Sequence, residues 1–444
     1  MWDLATQRQG YKEYGDSLID WFPEEHNFLD MKNRTFTFQI TDDCCMACTY
    51  CYQTNKSHHS MSFETAKKVV DMLLDMDNPC PYLDPYKNTS SIVFEFIGGE
   101  PFMEIDLITQ ICDYIEEQMI IKHHPWIFRH RYSICSNGLL YFEPKVQNFI
   151  RKYNSSLSFS ISIDGNKELH DSCRVDLHGN GTYDRAIKAV KHYQSSYNTM
   201  MGSKMTISPD NIIYTKDAVI GLIESGYTVI HLNCVYEEGW TVEHAKIFYQ
   251  QLKDLADYLI DNDLHKKYYI DIYNFSFFHP KETNDNDNWC GGVNNLMFAV
   301  DWKGDFFPCI RYMESSLNNE QEPMIIGSVD TGLYATEEQK ARDCLLCSID
   351  RRTQSTDECY YCPIAEGCSW CSAYNYQVYG TPNKRVTYIC IMHKARALAN
   401  AYFWNKAFKK EKDDPQRMKL YIPKQWALDI IDEDEWNMLW SMQY

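Results

Sequence analysis

The sequence predicts an α/β protein with a parallel sheet, followed by a smaller cysteine-rich region and C-terminal helices. Two observations carry this. Six short apolar runs alternate with longer helical patterns between residues 34 and 262, and nine of the 18 cysteines fall between residues 290 and 390. Strands separated by helices pair in parallel through right-handed crossovers.

The elements follow in order. Residues 34–40 alternate apolar and polar and read as a strand that runs directly into Asp42-Asp43-Cys44. Ser62 is placed to cap a helix over about 63–76. A second strand, 91–97, ends in Gly98-Gly99-Glu100-Pro101, and a helix covers 104–121. Further strands are expected at 132–135, 157–163, 205–207 and 229–232, with helices at 144–152, 183–195, 215–225 and 242–262. In parallel α/β folds the functional site lies at the C-terminal ends of the strands. From about residue 275 the pattern changes, and 284–288 is a polar linker. Residues 392–410 read as a helix, and 411–444 as a tail packed on the surface. The expected divisions are an N-terminal extension (1–33), the parallel α/β unit (34–275), the cysteine-rich domain (276–391), and a helix and tail (392–444).

Composition narrows the function. Hydrophobic residues make up 44% of the 444 and aromatics 14%, enough for a substantial core. No run approaches the length of a membrane span, and the first residues lack a secretory pattern, so a cytoplasmic location is expected. The formal net charge of −19 argues against a nucleic-acid partner and suits a basic peptide better. In a reducing compartment, clustered cysteines are more often metal ligands than disulfides. Cys80, Cys112, Cys135, Cys173 and Cys234 stand alone and read as small buried hydrophobes. The other thirteen form two groups.

The first group, Cys44-x3-Cys48-x2-Cys51, puts three thiolates on one short loop. Three ligands hold a four-iron cubane and leave one iron open to a further ligand. Zinc prefers four ligands; Cys45 is adjacent to Cys44, and His58 and His59 are distant, but zinc or chance spacing stays open on this pattern alone.

Cys44, Cys48 and Cys51, with Tyr50 before the last of them, resemble the signature of the radical S-adenosylmethionine (SAM) superfamily. Gly98-Gly99-Glu100-Pro101 is similar to that family's motif after the second strand, and Ser136-Asn137-Gly138 to its turn near the ribose. Ser162-Ile163-Asp164-Gly165 with His170, Asp171 and Arg174 resembles the fourth-strand segment of the peptide-modifying branch. The resemblance spans residues 34–240 and implies a partial (β/α)6 barrel. It implies that Tyr50 lies near the adenine, that Glu100 meets the SAM ammonium, and that Ser162 and Arg174 hold its carboxylate. Reductive cleavage of SAM to a 5′-deoxyadenosyl radical is the implied chemistry.

The second group reads Cys290-x13-Gly304-x4-Cys309, then Cys359-x2-Cys362-x5-Cys368-x2-Cys371, then Cys390. It resembles the SPASM extension, which holds two auxiliary 4Fe–4S clusters, so three clusters are expected in all. The usual spacing before the last clustered cysteine is three residues; here only Ser369 and Trp370 intervene. The resemblance implies Cys359, Cys362, Cys368 and Cys390 as one ligand set, and Cys290, Cys309 and Cys371 as part of another. The fourth ligand of the second set stays open: Cys344, Cys347, a substrate thiolate or none. Zinc ribbons from Cys344/Cys347 and Cys359/Cys362 are the competing reading.

SPASM enzymes mostly modify peptides or proteins. In the sulfatase-maturase branch an acidic residue follows the cysteine that matches Cys309; here Ile310-Arg311-Tyr312 follows. Segments 38–52, 94–102, 133–142 and 357–377 are similar to the maturases whose target peptides carry Cys-x-x-x repeats. The expectation is therefore a maturase of a ribosomally made, cysteine-rich peptide that forms thioether crosslinks. Sulfatase-maturase chemistry, carbon–carbon crosslinking and epimerisation are the alternatives. A flavodoxin or ferredoxin is the expected electron donor. The 43 residues before Cys44 are too few for a winged-helix leader-binding domain, so leader recognition is expected to come from a separate protein, another surface, or not at all.

Overall fold

A computed structural model describes residues 32–56, 58–199, 201–281, 290–319, 321–411 and 416–444. The expected N-terminal extension to residue 31, the polar stretch 284–288 and part of the charged run after 411 lie outside the described residues.

The six expected strands form, within a few residues of their predicted bounds. They are β1 (Lys32–Gln39), β2 (Thr89–Ile97), β3 (His130–Ser136), β4 (Leu157–Ile161), β5 (Ser203–Ile207) and β6 (Val229–Cys234). The helices between them are α1 (Phe63–Leu73), α2 (Ile105–Ile121), α3 (Pro144–Tyr153), the short α4 (Lys167–Cys173), α5 (Tyr183–Tyr197) and α6 (Thr215–Glu224). The long α7 (Val242–Asp261) follows β6. Ser62 caps α1 as expected, accepting from the Thr65 amide at 3.0 Å.

The sheet is larger and less uniform than the sequence predicts. β1 to β4 pair in parallel and in order, and β5, β6 and β7 (Tyr269–Ile270) form a separate parallel sheet. On the other side of β1, β8 (Met297–Val300) adds in parallel. β9 (Asp305–Phe307), β10 (Gly327–Ser328) and β11 (Gly332–Leu333) then continue the sheet antiparallel. The cysteine-rich region is thus joined to the barrel by backbone pairing. These strands are only two to four residues long, too short to show a period in sequence.

Alternation explains the core. Phe36, Phe38, Phe94 and Phe96 are fully buried on the helix-facing side of β1 and β2, and Phe38 stacks on Phe96 with ring centroids 5.5 Å apart. The opposite faces carry polar residues into the barrel: Thr37 donates to Glu95 at 2.7 Å, and Gln39 to Ser315 at 3.1 Å. Arg34 is also buried; its Nε donates to the Asn295 carbonyl at 2.6 Å and its Nη1 to Thr89 Oγ1 at 2.7 Å. It fastens the start of β1 to the turn that leads into β8.

The cysteine-rich region carries α8 (Glu337–Cys347), α9 (Arg351–Gln354), α10 (Asp357–Tyr360) and α11 (Ser372–Tyr379) around a second small core of Val293, Phe307, Met313, Leu346 and Ala373. The chain returns to the barrel as α12 (Cys390–Lys410), whose Tyr402 and Lys406 bond Asp257 of α7 at 2.6 and 2.7 Å. Residues 416–444 are not merely laid on the surface. They form α13 (Lys424–Ala427) and α14 (Glu433–Ser441), and Ile430, Ile431, Trp436 and Leu439 join the main core. Among the described residues, no helix is long and apolar enough to cross a membrane.

Phe38→Ala opens a cavity in this core beside the rings of Phe36 and Phe96. It should cost about 3–5 kcal/mol, read as a lower denaturant midpoint, with Phe38→Leu losing clearly less.

Candidate active site

The loop carrying Cys44, Cys48 and Cys51 follows β1 and has little regular structure of its own. It is fixed from two sides by backbone bonds. Ala47 N donates to the Val175 carbonyl at 2.9 Å, just after α4, and Thr49 N to that of Cys173, the last residue of α4, at 3.0 Å. From the other side, Gly99 N donates to Thr41 O at 3.1 Å and Glu100 N to Asp43 O at 2.8 Å. A Cβ on Gly99 would lie 2.3 Å from the Asp43 carbonyl oxygen, so the motif needs glycine here for close backbone approach.

Glu100 lies at the meeting point of two motifs. Its carboxylate accepts from Ser136 Oγ at 2.8 Å, Asn137 N at 2.7 Å and Phe102 N at 3.1 Å. Burial raises its pKa to about 7 against these bonds, which favour the charged form. Asn137 Nδ2 in turn reaches Cys45 Sγ at 3.2 Å and Cys44 Sγ at 3.9 Å. Pro101 opens the one-turn helix after Glu100.

Asp164 is fully buried. It accepts from Arg174 Nε at 2.7 Å, from the Tyr50 hydroxyl, and from Thr206 N at 3.2 Å. The last bond crosses from the end of β4 to β5, where the two sheets share no backbone ladder. Arg174 also lies 5.4 Å from the Tyr50 ring centroid. The nearby Asp164 raises the Arg174 pKa despite burial, so this guanidinium is a permanent cation.

These groups line one cavity of about 480 Å³ at the strands' C-terminal ends. Cys44, Cys48, Tyr50, Cys51, Gly98, Gly99, Glu100, Ser136, Asn137, Ser162 and Arg174 all border it; Asp164 lies behind Arg174 instead. The far wall holds residues that no motif marks: Lys204, Asn233, Glu237, Tyr52 and Arg311. Arg311 is ion-paired to Glu237 at 2.8 Å, and its guanidinium lies 5.0 Å from the Tyr52 ring centroid. Their only signal in sequence is position, on or after β5 or β6, or within two residues of a clustered cysteine. Cys135 corrects an expectation. It is exposed, lines this cavity and contacts Ser162 Oγ at 3.3 Å, because its place on β3 turns it into the barrel. Cys80, Cys112, Cys173 and Cys234 are buried as expected.

The donor set suits a thiolate-bound cluster. Burial pushes the Cys48 thiol up to about 11, and hydrogen bonding between Cys44 and Cys45 pushes Cys44 up and Cys45 down to about 7. A coordinated metal reverses such upward shifts by deprotonating the thiol outright. Among the described residues no three His, Cys, Asp or Glu side chains converge on a single ion. A cubane instead takes its thiolates at separate irons.

The later cysteines gather as two sets. Cys290, Cys309 and Cys371 border the same small core, Cys290 acts electrostatically on the other two, and Cys290 contacts Ser372 Oγ at 3.1 Å. Cys359, Cys362 and Cys368 each act on Cys390, whose thiol burial pushes up to about 12. Cys344 and Cys347 are exposed on α8; Cys347 Sγ bonds Asp343 at 3.3 Å and Asn295 at 3.2 Å.

Comparison with known proteins agrees with this layout. Residues 33–134 match the model of a 4Fe–4S single cluster domain. An uncharacterised protein of Methanocaldococcus jannaschii is 30% identical over 188 residues, 42% of this chain and 58% of that protein. A cysteine-type anaerobic sulfatase-maturating enzyme of Clostridium novyi is 26% identical over 171 residues, 36% of this chain and 41% of the enzyme. The matches thus span about half the length of these relatives. Among solved structures, anSMEcpe with bound AdoMet superposes with a TM-score of 0.56 at 14% identity, covering 86% of this chain and all of that one. Streptococcus suis SuiB bound to its precursor peptide SuiA gives 0.52 at 13% identity, covering 86% and 80%. The chain thus shares the fold of these two solved structures, and its residues 33–134 carry the 4Fe–4S match.

Two substitutions probe the site's construction. Gly99→Ala should displace the cysteine loop, so Cys44, Cys48 and Cys51 react faster with a thiol reagent while the circular dichroism spectrum is retained. Asp164→Ala leaves the Arg174 cation without its buried partner and should destabilise the fold by about 3–5 kcal/mol in chemical denaturation.

Proposed function

We propose that this chain is a radical SAM enzyme that matures a ribosomally made, cysteine-rich peptide by hydrogen abstraction and thioether formation. The carrying observation is the shape of the cavity. One wall is the Cys44–Cys51 loop with its ligand-binding turns, and the other reaches Ile310 and Arg311, directly after Cys309. A peptide carbon held there faces the SAM side, and a peptide thiol reaches toward the Cys290/Cys309/Cys371 set.

Each residue then has a task. Cys44, Cys48 and Cys51 hold a 4Fe–4S cluster with one iron open to SAM. Glu100 offers a carboxylate to the SAM ammonium. Arg174, fixed through Nε by Asp164, keeps its terminal nitrogens for the SAM carboxylate, with Ser162 beside it. Ser136 and Asn137 shape the ribose turn, and Tyr50 packs near the adenine. When reduced, the bound cluster and SAM supply a 5′-deoxyadenosyl radical that removes a substrate hydrogen atom. The cavity walls exclude water from that event. Cys359, Cys362, Cys368 and Cys390 hold a second cluster and Cys290, Cys309 and Cys371 a third. Its remaining position falls to Cys344, Cys347 or a substrate thiolate. A flavodoxin or ferredoxin is the proposed reductant, and a cytoplasmic location follows from the same chemistry.

The match to a sulfatase-maturating enzyme favours a second reading, oxidation of a single residue in a protein substrate. Ile310, at the position where that branch carries an acidic base, weighs on the side of the peptide reading.

Anaerobically reconstituted protein should carry about twelve irons per chain, from three four-iron clusters. It should cleave SAM under strong reductant, and Cys48→Ala should abolish cleavage. A co-expressed peptide with repeated cysteines should lose about 2 Da for each bond formed, since the two joined atoms each give up a hydrogen. Tandem mass spectrometry that places the loss between two residues supports a crosslink; a loss confined to one residue favours the second reading.

A further inference from the structure

Arg396 lies on α12, six residues after Cys390, and borders a small cavity of about 30 Å³ together with Asn233, Cys368, Ser369 and His393. Asn233 also lines the large cavity, so Arg396 belongs to the wall between the SAM side and the four-cysteine set. Its Nε is shut off from solvent with no acceptor, and it forms no ion pair among the described residues. The ring of Phe278 lies 5.5 Å away.

The groups that face Arg396 do not neutralise it. Asp271 is the one carboxylate acting on it, and that carboxylate already accepts from His231 at 3.0 Å and from Leu232 N at 2.9 Å. Cys234 is held protonated by burial. The adjacent His393 is also buried, and its Nε2 donates to the Ile364 carbonyl at 2.7 Å. The remaining groups acting on it are Tyr236, whose phenol burial keeps protonated, and Cys368, a member of the four-cysteine set. Arg396 is partly exposed, but its Nε is buried without an acceptor; a guanidinium withdrawn from water without a counter-charge is costly, and an anion facing it offsets that cost. A four-thiolate iron–sulfur centre is such an anion, since its thiolates outweigh its core charge.

We propose that Arg396 is the internal counter-cation of the centre held by Cys359, Cys362, Cys368 and Cys390, and that it raises that centre's reduction potential. This rests on the reading of those cysteines as cluster ligands. Reduction brings in one electron from an external one-electron donor, and no bond to the protein forms or breaks. The added negative charge falls opposite the guanidinium, so the cation stabilises the reduced state more than the oxidised one.

The test is an EPR-monitored redox titration of the full-length reconstituted protein, with dithionite as reductant. Cys359→Ala identifies the signal that belongs to this centre. Arg396→Met should shift that midpoint to more negative potential, lowering the reduced-to-oxidised ratio at a fixed poise about tenfold for a unit charge removed from a low-dielectric site. Arg396→Lys should stay close to the parent. An unmoved midpoint in Arg396→Met, with iron and sulfide content intact, overturns the proposal. Should Arg396→Met lose the centre, Arg396→Gln and Arg396→Lys decide: loss in Gln with retention in Lys supports a charge requirement, and equal loss in both refutes it. Iron and sulfide counts on the parent protein come first. Absence of this centre there overturns the ligand reading itself, an outcome distinct from an unmoved midpoint.

Discussion

Everything at this site depends on how an irregular loop is held still. The Cys44–Cys51 segment gains no order from a helix or a strand ladder. Its amides at Ala47 and Thr49 bond to the last residue of α4 and the segment after it, and the Asp43 carbonyl just before it accepts from Glu100 N. Backbone groups left unpaired in such a place would be costly, so these few bonds both satisfy the loop and set the direction of its thiols. The Gly98-Gly99 pair is part of the same device. Thr41 and Asp43 approach so closely that any side chain there would push the loop away from β2.

The same economy recurs at Glu100 and Asp164. Each is a buried carboxyl group, and each joins two segments that are distant in sequence. Glu100 ties the end of β2 to the turn after β3, while Asp164 ties Tyr50 of the cysteine loop, Arg174 and Thr206 together. Carboxylates with several fixed donors are rigid junctions, and rigidity is what a site needs when a reactive species must meet one particular hydrogen. The functional motifs are therefore also the joints of the barrel.

Much of this was legible in the sequence because the signals are local. Strand alternation, glycine punctuation and cysteine spacing each act over a few residues, and their shared order located the strand ends. What was not legible depends on distance along the chain. Lys204, Asn233, Glu237 and Arg311 come from separate segments and meet only once the barrel closes. Cys135 read as core because a lone cysteine usually is, yet the pleat at β3 turns it inward. β7 to β11 are too short for periodicity to register. Asp164 sits in a motif between Ser162 and Arg174, and only its full burial and its bond to Arg174 show that it supports that arginine.

The parting of the barrel between β4 and β5 has a mechanical consequence. Elsewhere around the sheet, neighbouring strands are laced by several amide bonds and can separate only by breaking them all. At this seam Asp164 reaches across with one side-chain oxygen, while its other oxygen holds Arg174, which borders the large cavity. Any breathing of the wall is thereby transmitted to Arg174 as a change in its aim. The width of the opening and the grip on a small molecule inside it become a single mechanical variable.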